Sequence, residues 1–327
     1  MPPHVSIIVP CYNEQNTIHN LLEAIYAQTF QRTRLEVVIA DGMSSDNTRN
    51  EIASFAEAHP DLPIVVVDNP AGIIPAALNR ALRKAQGEII LRLDGHSTPY
   101  PDYVARCVEA LEAGLGENVG GIWEIHPGAD GWIAASIAAA SAHPLGVGDA
   151  LYRHAVKASY VDTVPFGAFK REQLALVGFF DETLLTNEDY EFNTRIRKSG
   201  GRIWLDPAIR SIYYARPTLT ALARQFWRYG YWKRKMLKRY PETLRWRQAL
   251  PPLFVLSLIA WIVLATCFPF FRWLLAGEVM LYALVLLLAG FLVAFRQRKW
   301  MLVIGFPSAI AVMHIAWGSG FLWSMIK

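Results

Sequence analysis

Apolar and polar positions follow two regimes along this chain of 327 residues. In the first, short apolar runs take turns with segments whose apolar residues recur at helical spacing. Residues 5–9 (VSIIV) predict a strand, and residues 17–29, with Ile18, Leu21, Leu22 and Ile25 on one face, predict a helix. Residues 35–40 read as strand, 48–59 as helix with Asp46 as a candidate cap, and 64–67 as strand. A helix over 73–86 with Pro75 in its first turn follows, and then IILRLDGHS at 89–97, a strand running to Asp94. Strand and helix in alternation imply a mostly parallel, Rossmann-like sheet with right-handed crossovers, which holds ligands at the carboxyl ends of its strands. Polar loops stand at all four ends: 10–14, 41–46, 68–69 and 94–97.

The middle is less regular. Residues 100–113 read as helix, 119–125 as strand, and 130–147 as a small, apolar helix that lies along a membrane, roofs a site or belongs to a core. Residues 192–198 predict a helix, with Asn187 or Asp189 available to cap it. The second regime starts after Pro252. Residues 253–271, 273–295 and 301–325 are long apolar stretches, each near the roughly 20 residues that cross a bilayer.

Composition sharpens this picture. Hydrophobic residues make up 53% of the chain, and the excess lies at the C-terminal end. Cys11, Cys107 and Cys267 are far apart and lack metal-type spacing, so reduced thiols are expected. The segment MPPHVSIIVP lacks the basic and apolar regions of a signal peptide, which places the first part of the chain in the cytoplasm. Residues 224–247 hold nine basic side chains and one acid, Glu242, interleaved with Trp227, Tyr231, Trp232 and Trp246. Beside an apolar region that mixture suits anionic lipid headgroups rather than nucleic acid. Arg296, Arg298 and Lys299 sit between the second and third stretches, so the positive-inside rule puts residues 1–250 in the cytoplasm and, with three spans, the C terminus outside, whereas a re-entrant third segment would reverse that end.

Neither a P-loop nor a G-x-G-x-x-G follows the first strand, which disfavours nucleotide-hydrolysing motors and dehydrogenases. A divalent cation at Asp94 and His96 is the remaining way to neutralise phosphates at this edge, against the plain reading of Asp94-Gly95 as a turn.

Five motifs in order carry a resemblance: IVPCYNE at 8–14, DGMSSDNT at 41–48, AALNRALRKAQGEIILRLDGH at 76–96, TNEDYEFNTRIRKSG at 186–200 and QFWRYGYWK at 225–233. Together they resemble family 2 glycosyltransferases of the GT-A fold, and among these the bacterial exopolysaccharide, succinoglycan-type glucosyltransferases, over roughly residues 4–240. The resemblance implies an α/β GT-A domain at 1–217, amphipathic basic membrane-interface helices at 218–250, and a transmembrane region of about three helices at 251–327. Pro10, Tyr12 and Glu14 then meet the nucleoside and Asp41 the base. Asp94, Gly95 and His96 stand where an Asp-x-Asp signature binds the metal on the donor diphosphate, with His replacing the second Asp. Imidazole ligates manganese, whereas magnesium prefers oxygen. Gly167 in VPFGAF falls in a loop under the acceptor. Asp189 matches the catalytic carboxylate and Glu188 its companion. Gln225 and Arg228 match a Gln-x-x-Arg-Trp pattern, with Tyr229 for Trp.

The implied protein is a multi-pass inner-membrane enzyme with a cytoplasmic catalytic domain and a divalent metal (Mn2+ or Mg2+). It would move sugar with inversion from a nucleotide-sugar donor, UDP-glucose or a relative, to a lipid-linked glycan. An inactive nucleotide-sugar-binding membrane scaffold and a nucleotidyltransferase are the alternative uses of the same sheet edge.

Overall fold

A computed structural model describes residues 3–327. The chain divides into two compact units, the first formed by residues up to Glu124 with His154–Tyr213, the second by Ile125–Arg153 with Tyr214–Lys327.

In the first unit β1 (Val5–Cys11), α1 (Ile18–Tyr26), β2 (Leu35–Asp41), α2 (Thr48–Ala58), β3 (Ile64–Asp68), α3 (Ile74–Lys84) and β4 (Ile89–Arg92) follow the predicted alternation. Strands β1 and β2 are buried at every position, so near-continuous runs of β-branched residues are what they require. Helix α1 buries Ile18, Leu21, Leu22 and Ile25, the face its spacing predicted. Pro75 sits in the first turn of α3, where its missing N–H costs nothing.

These four strands pair in parallel in the order β3-β2-β1-β4. The chain therefore reverses direction across the sheet between β1 and β4, and an open α/β sheet binds ligands at such a reversal. β5 (Thr98–Pro99), α4 (Tyr103–Glu112) and β6 (Asn118–His126) come next. Then follow, across the two units, α5 (Trp132–Ser141), α6 (Pro144–Val147), β7 (Ser159–Val161), β8 (Ala168–Lys170), α7 (Gln173–Val177), α8 (Glu188–Lys198) and β9 (Ile203–Tyr214). β8 pairs antiparallel with β4 and β6, and the sheet continues through β9 to β5, with β7 also on β9. The fold is thus mixed and mostly parallel on the side that carries the predicted loops.

The departures have local causes. The twelve-residue strand β9 was not legible because Pro207 interrupts it and its burial does not alternate cleanly. Helix α8 begins at Glu188, four residues before the expected start, so Glu188 and Asp189 lie within its first turn rather than ahead of it. Asn187 precedes it in the left-handed region at φ 70° and makes no side-chain cap. Residues 130–147 form two helices, broken where His143 caps α6 ahead of Pro144.

The second unit adds α9 (Leu219–Leu237), α10 (Trp246–Cys267), α11 (Phe270–Gln297) and α12 (Leu302–Ile326). The last three are long and apolar enough to cross a membrane. Pro269, expected inside the first apolar stretch, lies instead in the turn between α10 and α11.

One glycine tests the antiparallel half of the sheet. A Cβ on Gly121 of β6 would overlap the carbonyl oxygen of Ile209 on β9. Gly121→Ala is expected to cost about 1–3 kcal/mol, seen as a lower Tm of the detergent-solubilised protein; an unchanged Tm would mean the two strands are not so close.

Candidate active site

The site grows from the loops after β1, β2 and β4. The first two are laced together. Asn13, at φ 53°, receives Ser45 N–H on Oδ1 at 2.9 Å and donates its own N–H to Ser44 Oγ at 2.8 Å. Glu14 N–H donates to Thr48 Oγ1 at 2.8 Å, and Asp46 accepts Thr48 N–H at 3.0 Å from one residue before the N-cap, which is Asn47 and not Asp46 as expected. Pro10 is a buried residue of β1, whereas Tyr12 is 56% exposed beside it.

Asp41 is wholly buried. Its Oδ1 accepts from Ser44 Oγ at 2.5 Å and its Oδ2 from Ser44 N–H at 3.0 Å and Arg49 Nε at 2.6 Å. Arg49 also reaches Asp68 Oδ1 at 2.6 Å. Of the two carboxylates that Arg49 joins, the one that faces solvent is thus Asp68, 62% exposed at the end of β3. Negative charge accumulates at this edge: burial first, then Glu14, Asp41 and Asp46, pushes the Cys11 thiol up to about 12, which removes it as a nucleophile.

The centre of the site is a residue that the sequence reading passed over. Arg92, the last residue of β4, is 4% exposed and inserts its guanidinium among three carboxylates. Its Nε and Nη2 donate to Asp94 Oδ1 at 3.2 and 2.9 Å, Nη2 donates to Glu188 Oε1 at 3.0 Å, and Nη1 donates to Asp189 Oδ1. One guanidinium thereby joins the loop after β4 to the first turn of α8, about a hundred residues further along the chain. Against the desolvation of burial, Asp189, Asp94 and Glu188 hold Arg92 protonated, well above its usual range. Burial, opposed by Arg92 and reinforced by the charges of Glu188 and Asp94, pushes Asp189 up to about 7. A carboxylate near neutrality is suited to general-base work.

Other contacts fix α8 in place. Asn193 donates to Thr163 Oγ1 at 2.9 Å and to Val164 O at 3.2 Å, and Asn118 donates to Asn193 Oδ1 at 2.6 Å. Gly167 lies against Asn118 with no room for a Cβ, and its carbonyl accepts Arg92 N–H at 3.1 Å.

His96 Nδ1 lies 2.9 Å from Glu14 Oε1, and Glu14 Oε2 accepts from Thr17 Oγ1 at 2.5 Å. This carboxylate–imidazole pair designates Nε2 as the ring nitrogen that would meet a cation. Among the described residues no three His, Cys, Asp or Glu side chains converge as a metal cage. Asp94 and His96 could offer two ligands to a cation whose remaining positions were filled by a bound diphosphate and water. The excess of three carboxylates over one guanidinium favours such a cation electrostatically.

The structure thus brings Asp94, Glu188 and Asp189 together and pairs Glu14 with His96. Gln225 and Arg228 lie on α9 of the second unit, where Gln225 Nε2 donates to Tyr229 OH at 2.9 Å and Arg228 is exposed. Arg92 could have been found: an arginine inside IILRL, a run that reads as fully buried, must have anionic partners.

A parallel sheet with its reversal at β1/β4, extended by antiparallel strands and carrying acidic groups at its carboxyl edge, is the architecture of a GT-A sugar transferase. Residues 6–172 match the Glycosyl transferase family 2 pattern, and the chain belongs to that family. It is similar to the succinoglycan biosynthesis protein ExoA of Rhizobium meliloti, 31% identical over 96% of this chain and 93% of that protein. It is also similar to a dolichyl N-acetyl-alpha-D-glucosaminyl phosphate 3-beta-D-2,3-diacetamido-2,3-dideoxy-beta-D-glucuronosyltransferase of Methanococcus voltae, 24% identical over 99% of this chain and 97% of that one. Among solved structures, the mannosyltransferase PcManGT of Pyrobaculum calidifontis, in complex with GDP-Man and Mn2+, superposes with a TM-score of 0.59 at 25% identity, over 96% of this chain and 88% of that one. The S. aureus TarS 1-349 structure in complex with UDP shares the fold at a TM-score of 0.50 and 15% identity, over 98% and 91%. The protein is a glycosyltransferase.

Removing the guanidinium would leave three carboxylates facing one another. Arg92→Met is expected to destabilise the protein by about 3–5 kcal/mol, and Arg92→Lys by less, read as loss of Tm. Equal Tm values for the wild type and Arg92→Met would contradict the buried cluster.

Proposed function

We propose that this protein is an inverting glycosyltransferase of exopolysaccharide or lipid-linked glycan synthesis, acting at the cytoplasmic face of the inner membrane. The donor is a nucleotide sugar, UDP-glucose or a close relative, and the acceptor a lipid-linked saccharide. The observation that carries this reading is the junction of Asp94 and Asp189 on Arg92, which supports a diphosphate side and an acceptor side of one reaction meeting at a single cation. The names of the Rhizobium and Methanococcus relatives support the substrate classes, and the GDP-Man and Mn2+ complex supports a nucleotide-sugar donor with a divalent metal.

In this reading the nucleoside lies along the loops of Pro10, Tyr12, Glu14 and Asp41, with the exposed Tyr12 ring as a stacking surface. Asp94 and His96 would hold a divalent metal, which would supply positive charge to the leaving diphosphate. Asp189 accepts the proton of the acceptor hydroxyl as that oxygen forms its bond to the anomeric carbon, while the bond from that carbon to the phosphate oxygen breaks on the opposite side. Arg92 is a positioning residue: it fixes the carboxylate of Asp189 by a charge-assisted bond and, with Glu188, keeps it ionisable near neutral pH. Arg228 and Gln225 serve the diphosphate or the acceptor from α9.

Asp189→Asn is expected to lower kcat by about 10²–10⁴-fold with donor affinity nearly unchanged, measured with radiolabelled donor in detergent; full turnover would remove Asp189 as the base. The acid limb of kcat/KM against pH should fall near 7 instead of near 4, since Asp189 must be ionised to act and its carboxyl is pushed up to about 7. In Arg92→Lys, with the cation less closely placed, that limb should move to higher pH. A limb that stays near 4 in the wild type would mean another group is titrating. Chelator should abolish transfer and His96→Ala should raise the metal concentration needed for half-maximal rate. Turnover insensitive to both would mean that Asp94 and His96 hold no metal.

A further inference from the structure

Length and composition make α12 a third span, but its packing within the second unit is that of a different kind of helix. Of its most apolar window 44% is buried, against 11% for α10 and 17% for α11. What covers it is decisive. Helix α9 lies along its C-terminal half so closely that a Cβ on Gly230 would overlap Trp317 O, and one on Gly320 would overlap Trp227 O. α9 carries Arg224, Arg228, Lys233, Arg234 and Lys235 and is not among the helices apolar enough to cross a bilayer. Two helices in such contact share a depth, and a segment with five cations in nineteen residues does not lie in hydrocarbon.

The N-terminal half of α12 is covered by the 132–147 segment. Gly305 meets Ser136 of α5, Phe306 packs edge-on against His143 at 5.1 Å, and His314 Nε2 lies 2.7 Å from Leu145 O of α6. α5 has ten residues and α6 four, too short to accompany a span.

On its remaining side α12 meets α10 and α11. Gly318 abuts Pro251 O and Val255, Gly290 abuts Pro307, and Tyr282 OH lies 3.0 Å from His314 Nδ1. The buried residues of α10 are Pro252 and Val255, and those of α11 are Leu286, Gly290 and Ala294, all in the halves away from the turn at 268–269. A third antiparallel span would run on towards that turn and cover the outer halves as well. Along α12 the contacts pass from α11, at Pro307 and His314, to the start of α10, at Gly318. The base of the α10/α11 hairpin is where charge collects, with Arg245 and Arg247 at the start of α10 and Arg296, Arg298 and Lys299 at the end of α11.

We propose that α10 and α11 are the chain's only membrane crossings and that α12 lies in the headgroup interface, clamped between α5, α6 and α9 and the base of the hairpin. The hairpin is long enough: 22 and 28 residues rise about 33 and 42 Å, against a hydrocarbon core of about 30 Å. The partner of this surface is a lipid bilayer, with acyl chains around the hairpin and anionic headgroups at the basic belt. Two crossings return the chain to its starting side, so Lys327 and residue 3 share one face, contrary to the three-span order expected from hydropathy.

The chain carries its own probe. Cys267 is exposed at the end of α10 next to the turn, whereas Cys11 and Cys107 are buried and stay silent to a reagent that meets only folded protein. A membrane-impermeant maleimide is applied to spheroplasts and to sealed inverted vesicles holding either the full wild-type chain or Lys327→Cys in a Cys267→Ser background. Cys267 should label from one face and position 327 only from the other, with at least a tenfold preference in each case. Labelling of both positions from the same face, the outcome of three spans or of a hairpin that does not cross, would overturn the proposal. So would a position 327 shielded from both faces until detergent is added.

Discussion

The catalytic unit depends on the placement of a single positive charge. Arg92 lies at the end of an interior strand, with almost no access to water and three carboxylates around it. A guanidinium in that position cannot shed its proton, so it must be satisfied by anions, and its planar fork fixes where those anions stand. Asp94 and the first turn of α8 belong to different stretches of chain, and the arginine that bonds to both defines their spacing. The arrangement carries more negative than positive charge. This is a liability for stability, but in the proposed reaction it would favour the receipt of a cation and a diphosphate.

The parallel half of the fold was readable because its signals are local. Five-residue apolar runs and i, i+3, i+4 spacing report burial directly, and β1, α1, β2, α2 and α3 stand within a few residues of their expected bounds. The antiparallel half was not. β7, β8 and β9 are short, or interrupted by Pro207, and owe their existence to pairing with distant strands. The carboxylates Asp94, Glu188 and Asp189 could be named from motifs, but nothing in their spacing showed that they meet. The buried arginine that joins them was hidden in plain view inside a hydrophobic run. Asp41 shows the opposite limit: its position in a polar loop suggested contact with a ligand, while both its oxygens accept bonds from Ser44 of its own loop and Arg49 of α2.

The second unit illustrates how hydropathy and packing separate. α10 and α11 present apolar side chains outward along most of their length, as lipid-facing helices do, with Trp273 78% and Met280 71% exposed. α12 is apolar too, yet 44% of its most apolar window is buried in protein, through glycines that let neighbouring backbones approach. Composition reports only that a helix avoids water. What it is buried against decides whether it is a span or a strut between an interfacial helix and a membrane hairpin.

The central claim, that Arg92 acts through Asp189, is tested most directly by a double-mutant cycle on single-turnover transfer with Arg92→Lys and Asp189→Asn. If the arginine's role is to hold the base, the loss of rate caused by Arg92→Lys in the wild-type background should disappear once Asp189 is already Asn. Losses that multiply independently in the double variant would show that the two residues contribute separately, and the account of the site would be wrong.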